Sequence, residues 1–171
     1  MYSIAMATFP EAPTPGFLVW RLSSKWRAAV DRAVAPLGLT HAQYSVLASL
    51  FGMARAGRKP SQRELADQTG LEPIYISKLV RALERDGFLA RSEHPADPRA
   101  MQLTMTRTGR ATAERAIAIV RDLQEQHTSA LGGTNSARTK TFMKTLQTLL
   151  ATEPPTEPPA EPPTEPQGAS R

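Results

Sequence analysis

Residues 62–81 read QRELADQTGLEPIYISKLVR. This stretch decides the fold. Ser61 and Glu64 stand in the S-x-x-E spacing of a capping box, so a short helix opens at Gln62. It closes at Thr69-Gly70, where glycine permits a left-handed turn. Pro73 then suits the first position of a second helix, because its missing N–H costs nothing there. Ala66 is small, so the second helix can cross the first closely. Leu65, Leu71, Ile76 and Leu79 give the pair a shared apolar seam. Two short helices with a glycine turn and a common seam predict a helix-turn-helix.

Working outward, Gly87 stops the second helix, and two extended segments follow. Met101, Leu103 and Met105 alternate with Gln102, Thr104 and Thr106, the pattern of a half-buried strand. Phe88–Ser92 is its expected hairpin partner, with residues 93–99 as the tip. The hairpin makes the motif winged. Upstream, Val19, Leu22, Trp26, Ala29/Val30, Ala33 and Leu37 form one helical stripe ending at Gly38. Thr40 and Gln43 form a second capping box for a helix through Val46, Leu47, Leu50, Phe51 and Ala54. Downstream, a helix over about 107–131 carries Ala113, Ala116/Ile117, Val120, Leu123 and His127. A last helix carries Phe142, Met143, Leu146, Leu149 and Leu150. The fold class is therefore mainly α with a small β-hairpin wing.

With Ile76, Leu79, Val80 and Leu83 inward, the second helix of the motif presents Ile74, Tyr75, Ser77, Lys78, Arg81 and Arg85. Lys78 and Arg81 are suited to guanine O6/N7 or to phosphates, and Ser77 to either. Ile74 and Tyr75 are suited to thymine methyls or sugars. In the hairpin, Arg99 is expected to enter a narrow minor groove, with Asp97 bracing its guanidinium. Arg91, at the wing base, is expected on a phosphate. The bland alternative for each is a solvated polar face.

Composition agrees with a polyanionic partner. The 171 residues carry 21 Lys+Arg and 16 Asp+Glu, net +5. Residues 153–171 hold four Glu and one Arg, so residues 1–152 hold 20 basic and 12 acidic groups, net +8. The tail repeats Glu-Pro-Pro from Glu153, and residues 152–171 are expected to be disordered. There is no cysteine, which excludes disulfides and thiolate metal sites. His41, His94 and His127 lack metal-ligand spacing; His127 reads as a structural histidine. The longest early apolar run, Phe17–Trp20, is too short for a membrane span or a signal sequence, so a cytoplasmic protein is expected. Catalysis is not expected. Gly52–Lys59 echoes a phosphate-binding loop, but Arg58 stands where Lys belongs and Pro60 follows Lys59. No cofactor is called for.

The ordered set resembles the MarR family of transcriptional regulators. The residues that carry the likeness are Pro36–Thr40 with Gln43, Tyr44 and Leu47, then Gln62–Ala66, Ser77–Leu89, Asp97-Pro98-Arg99 and Leu103–Gly109. It covers about residues 17–150. Pro98 departs from a wing position that is commonly basic in the family. Residues 1–14, with Pro10 and Pro13, read as a flexible arm. The resemblance implies a MarR-like domain over 15–151. Within it lie a winged helix-turn-helix over about 40–106 and dimerisation helices over about 15–36 and 107–151. Phe17 and Trp20, off the main stripe of their helix, support a homodimer independently. The family implies a homodimer on a pseudo-palindromic double-stranded DNA operator, commonly a repressor released by a small, often aromatic, effector. Candidate pocket residues are Trp20, Trp26, His41, Tyr44 and Phe51, each of which also reads as plain core. The rival readings are a ligand-independent or architectural winged-helix DNA binder and a winged-helix protein-interaction module.

Overall fold

The computed structural model describes residues 12–94 and 97–152; the side chains of residues 94 and 97–100 lie outside the description. The expected arm before residue 12 and the Glu/Pro tail from residue 153 also lie outside the described residues. The elements are α1 (Pro15–Val34), α2 (His41–Arg55), α3 (Gln62–Thr69), α4 (Pro73–Arg85), β1 (Leu89–His94), β2 (Asp97–Met105), α5 (Arg107–Thr128) and α6 (Ala137–Ala151). The chain divides into two compact units, one through Gln126 and one from His127.

In the first unit, local chemistry sets the helix ends. Thr14 caps α1, whose first residue is Pro15. The α-helix stops at Val34 and a single 3-10 turn, Ala35–Leu37, completes the segment. Pro36 has no N–H to return to Arg32, so the regular ladder cannot run on to Leu37 as the apolar stripe suggests. Gly38 then takes φ 71°. Thr40 and Gln43 form a reciprocal capping box on α2, and Ser61 and Glu64 form another on α3. Each ties down helix N–H groups that would otherwise lack partners.

The core of this unit is one cluster. Val30 and Val34 from α1 meet Val46, Leu47 and Leu50 from α2, with Leu65 from α3 and Ile76, Val80 and Leu83 from α4. Leu89, Leu103, Ala113 and Ala116 complete it from the hairpin and α5. The first half of the α1 stripe is not part of this core: Val19 and Leu22 are about half exposed, as are Phe17 and Leu18.

The hairpin is antiparallel and pairs Leu89 with Met105 and Ser92 with Gln102. Both strands run further than the alternation suggests. His94 pairs with Asp97, with a shift of register between Glu93 and His94. Asp97 and Arg99 therefore belong to strand backbone, not to a long tip loop. Pro98 argues for a loop from the sequence, but a register shift accommodates a proline at a ribbon end. On its outer edge β2 meets the chain before α3. Leu103 donates its N–H to the Pro60 carbonyl, and Ser61 bridges to Gln102.

The start of α5 is pinned to the wing base. A Cβ at Gly109 would lie 1.7 Å from the Phe88 carbonyl oxygen, so only glycine fits. Thr106 donates to the Gly87 carbonyl at 2.7 Å and accepts from Gly109 N–H at 2.9 Å.

In the second unit a 3-10 turn, Ser129–Leu131, leads to Gly132 and then to α6. The α-helical part of the preceding segment ends at Thr128, a turn earlier than the sequence pattern suggests. Ser136 caps α6, and the buried Thr139 hydroxyl donates to the Gly133 carbonyl at 2.8 Å. Met143, Leu149 and Leu150 on α6 are exposed.

Candidate nucleic-acid interface

Helix α4 is the centre of the site. Gly70 takes φ 66° and reverses the chain after α3, and Pro73 opens α4 as the spacing predicts. Ile76, Val80 and Leu83 are fully buried and Leu79 nearly so. That anchors one side of the helix and leaves the other to solvent. Ile74 is 76% exposed. Lys78, Arg81 and Arg85 are exposed and Ser77 is half-buried.

The three cations differ in their neighbours. Arg85 holds Asp86, its Nε 3.1 Å from Oδ1. Among the described residues, neither Lys78 nor Arg81 makes a salt bridge. Both charges are therefore available to an anionic ligand.

Arg91, expected on a phosphate, is held by Glu84. Its Nε lies 2.7 Å from Glu84 Oε2, a terminal nitrogen lies 2.6 Å from the same oxygen, and its backbone N–H donates to Glu84 Oε1. Glu84 is on α4 and Arg91 on β1. The pair fastens the wing to the recognition helix and neutralises the guanidinium. The Arg91 guanidinium holds the Glu84 carboxyl below its usual range. Sequence reasoning missed Glu84, because nothing local marks two opposite charges on either side of a turn as partners. The side chains of Asp97 and Arg99 lie outside the description.

The five candidate pocket residues do not converge. Trp20 is 63% exposed, and its ring stacks on Phe17 with centroids 6.1 Å apart. Trp26 and Tyr44 pack half-buried against the core. Burial raises the Tyr44 phenol above its usual pKa. Phe51 is a core side chain with the Arg110 guanidinium over its ring at 5.9 Å. Of the five, only His41 lines a cleft of about 450 Å³.

That cleft is built from distant parts of the sequence. Arg27 and Asp31 come from α1, Thr40, His41, Ala42 and Ser45 from the start of α2, and Thr69, Leu71 and Tyr75 from the α3–α4 junction. Asp31 Oδ1 accepts the His41 backbone N–H at 2.5 Å, tying α1 to α2. The His41 imidazole is lowered below its usual pKa, mainly by burial; Asp31 opposes this and Arg27 adds to it. Tyr75, expected on DNA, lines this cleft.

A helix-turn-helix braced to a hairpin, with a free cationic face on its second helix, defines a winged-helix nucleic-acid-binding module. The comparisons with known proteins place it further. Residues 39–101 match the model of the MarR family. The chain is 32% identical over 134 residues to an uncharacterized HTH-type transcriptional regulator, YdcH, of Bacillus subtilis, covering 78% of this chain and 88% of the relative. A structure of the transcriptional repressor CouR bound to a 23-mer DNA duplex superposes with a TM-score of 0.69 at 28% identity, covering 80% of this chain and 92% of CouR. CouR from Rhodococcus jostii RHA1 bound to p-coumaroyl-CoA superposes with a TM-score of 0.67 at 30% identity, over 81% and 92% of the two chains. The chain belongs to the MarR family of transcriptional regulators.

Proposed function

We propose that the protein is a sequence-specific double-stranded DNA-binding repressor that acts as a homodimer on a pseudo-palindromic operator. The observation that carries this reading is the α4 face. Lys78 and Arg81 stand exposed, without a salt bridge among the described residues, on a helix whose opposite side is locked into the core. Such a helix can enter a major groove without rearrangement, and its cations can meet guanine edges. Arg81 and Lys78 read bases, and Ser77, Ile74 and Arg85 sit beside them. Asp97 and Arg99 belong to the wing that approaches the minor groove. Arg91 positions that wing through Glu84.

A second copy of the chain is the natural cover for Phe17, Leu18 and Trp20 on α1, and for Met143, Leu149 and Leu150 on α6. Two α4 helices on a two-fold axis would read grooves about 34 Å apart. CouR binds p-coumaroyl-CoA as well as DNA, which supports release by a small molecule here. The Arg27–Tyr75 cleft is the place for that effector, because its Tyr75 wall is part of α4 itself. A DNA-binding regulator works where the DNA is, so this reading places the protein in the cytoplasm and assigns it no catalysis. Among the described residues no helix is long and apolar enough to cross a membrane.

The test is footprinting on DNA from upstream of the gene, across a salt series. A protected inverted repeat that persists at physiological salt supports the repressor. Diffuse protection lost with modest salt supports architectural binding instead.

A further inference from the structure

The wing has two edges, and they face different surroundings. On the β1 edge, Arg91 is held by Glu84 of α4. On the β2 edge, the neighbour is the segment before α3, through Leu103 N–H to Pro60 and the bridge from Ser61 to Gln102. The Gln102 side chain also donates to the Lys59 carbonyl at 3.3 Å. A cleft of about 300 Å³ opens beside this second edge, lined by Gly57, Arg58, Lys59, Leu103, Thr104 and Arg110 among others. Three of its lining residues are cations and none is a carboxylate. Among the described residues the carboxylate engaged with them is Glu64, 3.0 Å from Arg58 and about half exposed. Arg110 and Lys59 make no salt bridge among the described residues.

We infer that Arg58, Lys59 and Arg110 form a phosphate clamp for the DNA backbone on the outer side of the wing. This inference rests on the DNA-binding reading above. The β1 edge is tied to α4 through Arg91 and Glu84, and the β2 edge borders the segment before α3. With α4 in a major groove and the wing at the adjacent minor groove, the cleft beside the β2 edge, with its excess of positive charge, is the part of this face suited to the next phosphate strand outward. Phosphate contacts of this kind carry no base information. They add affinity, lengthen the protected region and steepen the salt dependence. The clamp also bears on the wing, because Arg110 follows Gly109, which is packed on the Phe88 carbonyl at the wing base.

The test uses the full chain and a duplex carrying the footprinted operator, trimmed stepwise from both outer ends. Affinity should fall at least about tenfold as the outermost half-turn on each side is removed, with the inner sequence untouched. A Lys59→Gln/Arg110→Gln variant should bind the long duplex more weakly, lose that length dependence, and show a salt slope smaller by about 2 per protomer. Its preference among operator variants should be unchanged. Because Arg110 lies over Phe51, Lys59→Gln alone is measured as well and should show about half the change in slope. Specific binding by the wild type with no dependence on flank length overturns the clamp and leaves the DNA-binding reading intact. A variant that keeps the wild-type length dependence and salt slope overturns it equally. Absence of any specific binding, on long or short duplexes, overturns the reading on which the clamp rests.

Discussion

Helix α4 and the cleft beside it share a wall and were assembled in different ways. In α4 the spacing of Ile76, Leu79, Val80 and Leu83 fixes which side is buried, so the outward face follows from 13 consecutive residues. The cleft draws on α1, α2 and the α3–α4 junction, and no local pattern announces it. On the reading proposed above, the difference marks where DNA reading and effector sensing would separate. The first would be a property of one helix surface; the second would depend on how three elements meet. Tyr75 belongs to both, since it is an α4 residue that lines the cleft.

The sharpest way to break this comparison is to undermine α4 from within. Ile76 is fully buried, so Ile76→Ala should destabilise the protein by about 2–5 kcal/mol in chemical denaturation. DNA binding should fail along with the fold, and a mild effect would mean that α4 is not anchored as described. Arg81→Ala works on the opposite face. It should leave the denaturation midpoint nearly unchanged, weaken operator binding by about 1–3 kcal/mol and relax preference at one base position.

On the cleft side, Thr40→Ala removes the α2 cap next to His41. It should cost about 1 kcal/mol of stability, read by thermal unfolding, without changing base preference. Glu84→Gln tests the brace between helix and wing. It should cost on the order of 1 kcal/mol or less, since both partners are partly solvated. Arg91 lowers the Glu84 pKa in the fold, so the wild-type bridge is fully present above the unfolded carboxyl value, about 4.3. It is lost as pH falls through the lower folded value, and the Gln variant should lack that part of the acid dependence. The smallest effect is expected for Tyr75→Phe. If the side chain serves the cleft, operator affinity should stay within about 0.5 kcal/mol of wild type. A larger loss would return Tyr75 to the DNA.

Much of the fold was legible because its signals are local. Both capping boxes, the glycine at 70 and the proline at 73 act within one turn of chain. The same holds for the outward positions of α4, from Ile74 to Arg85. Other features depend on contacts between residues far apart in sequence. The Glu84–Arg91 pair crosses the helix–strand corner. The hydrogen bond from His41 N–H to Asp31 joins two helices. The aromatic residues were drawn toward a pocket by type alone, yet Phe51 belongs to the core and Trp20 lies open. The first half of the α1 stripe was misleading for a related reason. An apolar stripe shows that a face needs cover, but not whether the same chain supplies it.

The central claim is that α4 reads sequence through Arg81, and the most direct test is a binding comparison over a library of single-base operator variants. Wild type and Arg81→Ala are measured at the same physiological salt. The account predicts that the variant loses discrimination at one symmetric pair of positions and keeps it elsewhere. Equal weakening on every sequence, with the preference profile intact, would contradict it and make Arg81 a backbone contact.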